Sequence, residues 1–274
     1  MSKLILSTGL GFNVPTLEQI KIFGEIGWDG VFTDCSADRV NEDYAKALYE
    51  RGMIYQSTHA PFGRVDTLWE EGDDGDAYAD ELVACLKNTA AAGVNLMILH
   101  AIIGMEKCTP TELGLRRFEK IFNAAEKCGV TVALENTEGE VYVEYLMKHF
   151  GSSDKVGFCI DTGHEMCYNA RRDIIGKYAD KLCCTHLNDN MGQTEEIITW
   201  HDDSHLLPFD GTADWNGIAD RLKKAGYNRE LTFELTSRSK PNRNTHDIYS
   251  HLDLEGFASL ALERAKKFAE LMKR

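Results

Sequence analysis

The chain has 274 residues, with 30 Lys and Arg against 44 Asp and Glu, a formal charge of −14 and 43% apolar residues. A chain of this size buries about three-quarters of its unfolded surface, so it needs no staples, and its composition excludes a disordered chain. The acidic balance argues against non-specific affinity for nucleic acid or anionic membranes, and no apolar run approaches the roughly 18 residues of a membrane span.

The N-terminus, Met1-Ser-Lys-Leu-Ile-Leu-Ser-Thr, lacks the apolar stretch of about 7–15 residues that a secretory signal requires, so a cytoplasmic protein is expected. From there a short apolar run followed by an amphipathic stretch recurs along the chain. The runs are Leu4–Ser7, Gly30–Thr33, Ile54–His59, Leu96–His100, Val130–Glu135, Val156–Asp161, Leu182–Leu187 and Leu231–Leu235. Each is apolar on both faces, as parallel strands covered by helices must be. Helices are predicted between them near 16–26, 41–51, 76–92, 110–128, 141–149, 171–179, 215–225 and 254–272. Thr16-Leu-Glu-Gln and Thr109-Pro-Thr-Glu offer caps, and Gly27, Gly52, Gly93, Gly129 and Gly226 mark helix ends before strands.

Eight strands alternating with eight helices is the arithmetic of an α/β fold, a single-domain (β/α)8 TIM barrel spanning 1–274. A doubly wound sheet would need a Gly-rich phosphate turn after the first strand; Gly9-Leu-Gly-Phe-Asn-Val lacks the third glycine. Two long connections, Asn188–Asp214 and Thr236–Asp253, belong to the C-terminal face, where barrel enzymes keep their chemistry. The eight cysteines contain no CxxC pair, and several lie inside strand runs as small buried hydrophobes, so reduced thiols are expected.

The residues that end these runs carry the functional signal. They are His59, His100, Glu135, Asp161, His186 and Glu234; His164 follows Asp161 by three residues, and Asp203-Ser-His205 lies in the strand-seven connection. Alone, each reads as a hydrogen-bonded rim residue. Nine imidazoles and carboxylates converging on one barrel face would be costly without a cation, and they are the ligand types of Zn, Mn, Fe or Co ions. His149, His246 and His251 read as solvated, and His201 fits either class.

The runs Ala133-Leu-Glu-Asn-Thr-Glu-Gly, Gly157-Phe-Cys-Ile-Asp-Thr-Gly-His and Thr185-His-Leu-Asn-Asp-Asn resemble the xylose-isomerase-like TIM barrel superfamily. That superfamily holds sugar phosphate isomerases and epimerases and the zinc-dependent apurinic endonucleases. The resemblance implies that Glu135, Asp161, His186 and Glu234 hold one divalent metal (Mn, Zn, Co, Fe or Mg), with Glu135 and Glu234 as acid/base groups on opposite faces of a sugar. In the endonuclease branch the matching positions, with His59, His100, His164, Asp203 and His205 added, hold three zinc ions.

An endonuclease needs basic loops to grip phosphates. The connection Asp66-Thr-Leu-Trp-Glu-Glu-Gly-Asp-Asp-Gly-Asp is crowded with carboxylates and has no basic residue, and Thr194-Glu-Glu is acidic too. A small sugar or sugar phosphate therefore fits better than nucleic acid. Trp28, Phe62, Trp69, Trp200, Phe209 and Trp215 fall near the rim, where aromatic faces stack on sugars, although packing under loops is the default for most. Arg238, Lys240 and Arg243 follow strand eight, where barrels often bind phosphate.

The expected activity is metal-dependent isomerisation or epimerisation through an enediolate, one glutamate removing a proton beside the carbonyl and the other delivering one. The alternatives are a multinuclear zinc phosphoester hydrolase and a non-catalytic sugar-binding protein. Nothing in the sequence excludes a homo-oligomer.

Overall fold

In the computed structural model, which describes residues 2–104, 109–192 and 199–274, eight parallel strands lie in the order β7-β6-β5-β4-β3-β2-β1-β8. They are β1 Leu4–Ser7, β2 Gly30–Asp34, β3 Ile54–His59, β4 Leu96–His100, β5 Thr131–Glu135, β6 Val156–Asp161, β7 Leu182–His186 and β8 Leu231–Phe233. Among the described residues nine helices surround them: α1 Thr16–Ile26, α2 Glu42–Glu50, α3 Asp73–Ala91, α4 Glu112–Cys128, α5 Glu140–Phe150, α6 Thr162–Cys167, α7 Ile174–Lys177, α8 Trp215–Lys224 and α9 Leu254–Lys273. The predicted single-domain (β/α)8 barrel is the observed fold.

Both faces of each strand are covered, which explains their continuous apolar character. One set of side chains packs against the helices, with Met97, Leu99, Val132, Leu134, Phe158 and Ile160 at its centre. Leu96, Ile98, Ala133, Cys159, Cys183 and Cys184 form a smaller separate cluster. The ring closes by an unusual seam. β8 is only three residues long, and Leu187 N donates to Thr232 O at 2.8 Å while Thr232 N donates to the Thr185 hydroxyl at 3.0 Å. A side-chain oxygen thus takes the bond that a strand carbonyl would otherwise accept.

Helix ends follow the expected chemistry with three local differences. The five glycines before strands have φ between +64° and +105°, the left-handed region open to glycine. The caps are displaced: Thr16 is the first residue of α1 behind Pro15, and Thr111 rather than Thr109 caps α4 by accepting from Gly114 N. The single helix expected at 171–179 is replaced by α6 and α7. Asp161 accepts from His164 N and starts α6 directly at the strand end, and Ala170 and Arg171 at φ near +55° prevent it from continuing.

The acidic connection after β3 is mostly ordered structure. Val65–Trp69 forms a 3₁₀ turn, and Asp73, Asp74 and Asp76 occupy the first turn of α3, where the helix dipole favours negative charge. Buried Arg117 holds that segment by donating to the carbonyls of Thr67, Leu68, Glu70 and Gly72 and to Asp76. Seven cysteines are free thiols, and Cys108 lies outside the described residues. No helix among the described residues is long and apolar enough to cross a membrane.

Candidate metal centre

Strand register brings the predicted donors to one level at the C-terminal mouth. His100 pairs with Glu135 across β4 and β5, and Asp161 pairs with His186 across β6 and β7. Glu234 follows β8 directly, and His59 ends β3. The carboxylate of Glu135 is wholly buried and central. Its Oε2 lies 3.2 Å from both His59 Nε2 and His100 Nε2, and its Oε1 lies 3.0 Å from His186 Nδ1. His186 Nδ1 is also 3.1 Å from Glu234 Oε2.

All nine predicted residues meet in this bowl. Donor atoms of Glu135, Asp161, His186 and Glu234 lie within 4.8 Å of one another; so do those of His59, His100 and Glu135, and those of Asp161, His164 and His205. Asp203 joins the third set at 3.4 Å from His164 Nε2 and 3.0 Å from His205 Nε2. His205 holds its place from a left-handed backbone, φ +51°. Leu206 and Leu207 beside it are buried, and Leu206 bonds reciprocally with Asp189, so the segment is packed down at the mouth. Gly211 is required to be glycine by the close approach of the Asp189 side chain and the Asn190 backbone, which a Cβ would meet. Thr194–Glu196, the other acidic stretch, lies outside the described residues.

A layer of buried amides, missed at the sequence level, orients the donors. Asn188 Nδ2 donates to Asp161 Oδ2 at 2.8 Å. Asn136 accepts from Asp161 N at 2.7 Å and donates to Asn169 and to Asp161 O. His59 Nδ1 bonds Ala60 O at 2.8 Å, which turns Nε2 toward Glu135, the usual role of an outer partner at a metal-ligating histidine. Asn136 and Asn188 sit inside the motifs that carry the resemblance, and that adjacency was the available signal; Asn169 lies outside them.

The electrostatics of the bowl are set by carboxylates and imidazoles buried side by side. Burial alone would raise the Glu135 carboxyl, but His186, His100 and His59 pull it well below the usual carboxylate range. Burial opposes charge on His59 and His205 too, yet neighbouring carboxylates push each up to about 9. Burial raises Asp161 to about 6. Without a metal, protons on imidazoles must balance the buried carboxylates. A divalent ion fits this set in ligand type, number and proximity.

Two cavities open from the bowl and share His205, Glu234 and Lys240. One, about 350 Å³, is walled by Phe62, Ile103, Tyr168 and Trp200. The other, about 390 Å³, lies under the ends of β1, β2 and β8 and is lined by Thr8, Asp34, Arg238 and Ser239. Of the six aromatics placed near the rim, only Phe62 and Trp200 face a cavity here, and Phe62 stacks on His100 at 4.6 Å. Trp28 lies before β2 at the opposite end and donates to Ala258 O, and Trp69, Phe209 and Trp215 pack inside. His149 and His251 are exposed as expected, His201 is half-buried, and His246 is buried, which lowers its pKa to about 4. A third cavity, about 520 Å³, lies at the strand-start end of the barrel.

Fold and site together define a class: a (β/α)8 barrel carrying a buried carboxylate–imidazole array at its C-terminal mouth. Residues 20–253 match the xylose isomerase-like TIM barrel family, and the chain belongs to that family. It is 30% identical over 284 residues to the uncharacterized protein y4fM of Sinorhizobium fredii, covering 89% of this chain and 88% of that one. Similar solved structures include the apo form of the 3-keto-D-glucoside 4-epimerase YcjR from E. coli, at 14% identity and TM-score 0.71, over 97% of this chain and 100% of that one. Another is D-psicose 3-epimerase with D-tagatose from Clostridium cellulolyticum H10, at 18% identity and TM-score 0.70, over 97% of this chain and 99% of that one.

Proposed function

We propose that the protein is a divalent-metal-dependent isomerase or epimerase of a small sugar or sugar phosphate. The observation that carries the reading is the joint placement of Glu135 and Glu234, 3.0 and 3.1 Å from the same His186 nitrogen, with Asp161 completing the four-donor set. Glu135, Asp161, His186 and Glu234 would hold the ion, whether Mn, Zn, Co, Fe or Mg. When bound, it supplies Lewis-acid stabilisation of negative charge developing on substrate oxygens.

The chain's own groups do the rest. Glu234, a quarter exposed, faces both cavities, whereas Glu135 is enclosed by imidazoles. One glutamate takes the proton beside the substrate carbonyl and the other returns one to the opposite face or neighbouring carbon, a transfer that contributes about 10²–10⁴-fold. His164, His59 and His100 line the bowl as donors for sugar oxygens, and Phe62 and Trp200 exclude water. The activities of the fold relatives, ketose and keto-glucoside epimerisation, support this reading. The carboxylates around the mouth favour a small substrate over nucleic acid, and the free thiols support a reducing, cytoplasmic setting.

The overlapping donor groups support one second reading, a multinuclear zinc phosphoester hydrolase, in which His59, His100, His164, Asp203 and His205 hold further ions. The test is a panel of free and phosphorylated ketoses incubated in heavy water with metal-replete protein and followed by proton NMR. Deuterium entering beside the carbonyl is the expected result. Silence across the panel, with diester cleavage and two or three ions per chain, would replace the first reading by the second.

A further inference from the structure

The connection between β8 and α9 brings three cations to the mouth, and they are not equivalent. Arg243 is 3.5 Å from Asp202. Lys240 is 3.7 Å from Asp203 and lies over the Trp200 ring at 5.5 Å. Arg238 forms no ion pair with any carboxylate among the described residues, although it lines the 390 Å³ cavity that opens onto Glu234.

Arg238 is nevertheless held in place. Its aliphatic stem lies against Gly11, where a Cβ would come within 2.9 Å of Arg238 Cγ. The preceding residue is clamped to the β1 connection by two bonds, from Ser237 N and Ser237 Oγ to Leu10 O, at 2.9 and 2.8 Å. Arg238 N donates to Thr236 Oγ1 at 3.3 Å. Arg238 is exposed, anchored through its backbone and stem, and its guanidinium, left without a carboxylate, keeps its five donors for a ligand; that planar fork suits phosphate and carboxylate.

The rest of the cavity agrees. The hydroxyl-bearing residues Thr8 and Ser239 line it with Lys240, and Asp34 is its one carboxylate apart from Glu234. In a chain of charge −14, Arg238 and Lys240 are the two Arg or Lys side chains that line this cavity, and they offer an anion its attraction there. The cavity shares Glu234 and His205 with the bowl, so a ligand reacting there extends into it.

We infer that the substrate is an acidic ketose whose terminal phosphate or carboxylate is received by Arg238 and Lys240 in the cavity beneath β1, β2 and β8. This rests on the isomerase reading above, whose failure the experiment separates from its own. Metal-loaded full-length protein is assayed for kcat and KM, through solvent deuterium incorporation, on a neutral ketose, its terminal phosphate ester and the matching keto-acid. One anionic compound is expected to exceed the neutral ketose in kcat/KM by about tenfold or more, and its identity distinguishes phosphate from carboxylate. Arg238→Ala should shrink that preference about tenfold, mainly through KM, and Arg238→Lys should retain part of it. An equal or greater kcat/KM for the neutral ketose, or a preference unchanged in Arg238→Ala, overturns the inference. If no ketose exchanges deuterium, calorimetric titration with inorganic phosphate decides: affinity about tenfold weaker in Arg238→Ala supports the anion site, and equal affinity overturns it.

Discussion

At the end of the barrel where the strands begin, a cavity of about 520 Å³ is lined by residues such as Asn95, Thr131, Asp154, Lys181 and Arg229. At the end where they finish, two smaller cavities share Glu234 and His205, and between them they are lined by six of the nine clustered candidates, His59, His100, His164, Asp203, His205 and Glu234. The larger space therefore lacks the chemistry. Alternate positions along four strands show why. Ile98 precedes His100 by two residues, Ala133 precedes Glu135, Cys159 precedes Asp161 and Cys184 precedes His186. Residues two apart share a face, so each of these four candidates stands one step above a buried apolar side chain. Together these four belong to one buried cluster beneath the bowl, which Gln56 meets by donating to Cys184 Sγ. Clustered carboxylates and imidazoles, rather than polarity as such, mark the strand-end mouth among the described residues, so the barrel has a chemical end and an inert end.

The strongest way to break this contrast is substitution at both ends. Glu135→Gln and Glu234→Gln, each assayed at saturating metal, should lower kcat by about 10²–10⁴-fold with the fold intact by circular dichroism. Asp154→Asn at the inert end should leave kcat within about twofold. Comparable losses at the two ends would dissolve the distinction.

The bowl can be resolved further with the double substitution Asp203→Asn with His205→Gln. A single-metal isomerase should lose about 10- to 100-fold in kcat/KM at unchanged metal content by elemental analysis. Loss of one ion per chain would instead mark a multinuclear centre.

The bowl should also dominate the pH response. His59 and His205, at about 9 against an ordinary 6.5, bind protons more tightly folded than unfolded when no metal is present. Their stabilisation is complete below pH 6.5 and is lost as pH climbs through about 9. Calorimetry of chelated protein should show Tm falling over that window. Metal-loaded protein should keep its Tm there, because the ion replaces the protons and binds more tightly as they leave.

The smallest effect concerns the seam. Thr185→Val removes the acceptor for Thr232 N and should cost about 1–3 kcal/mol, read as a Tm lower by several degrees with the donor set unchanged.

The barrel was legible because parallel strands covered on both faces leave continuous apolar runs, and β1, β3, β4 and β6 begin and end where those runs do. The six strand-end candidates, His59, His100, Glu135, Asp161, His186 and Glu234, could be grouped from sequence because the fold sends strand-end side chains to one mouth; His164 in α6 and Asp203 and His205 in the connection after β7 are brought there by other elements. What escaped notice consists of polar groups satisfied by backbone. Arg117 in α4 has the sequence appearance of a solvent-facing helix cation, yet it is buried among carbonyls. Asn136, Asn169 and Thr185 likewise leave no periodic trace, since their partners come from other strands and loops. The helix α6 was missed because its cap, Asp161, is a candidate ligand, and one residue carried both signals.

The seam has a consequence for assembly on the ribosome. β8 lies between β1, made first, and β7, and Glu234 follows it directly. A nascent chain therefore has seven strands in hand while the ring stands open and the four-donor set lacks its last carboxylate. Non-local pairing of this kind is the slow, late part of folding. Barrel closure and completion of the donor set thus coincide, so a truncated or half-folded copy has no finished bowl in which to trap an ion.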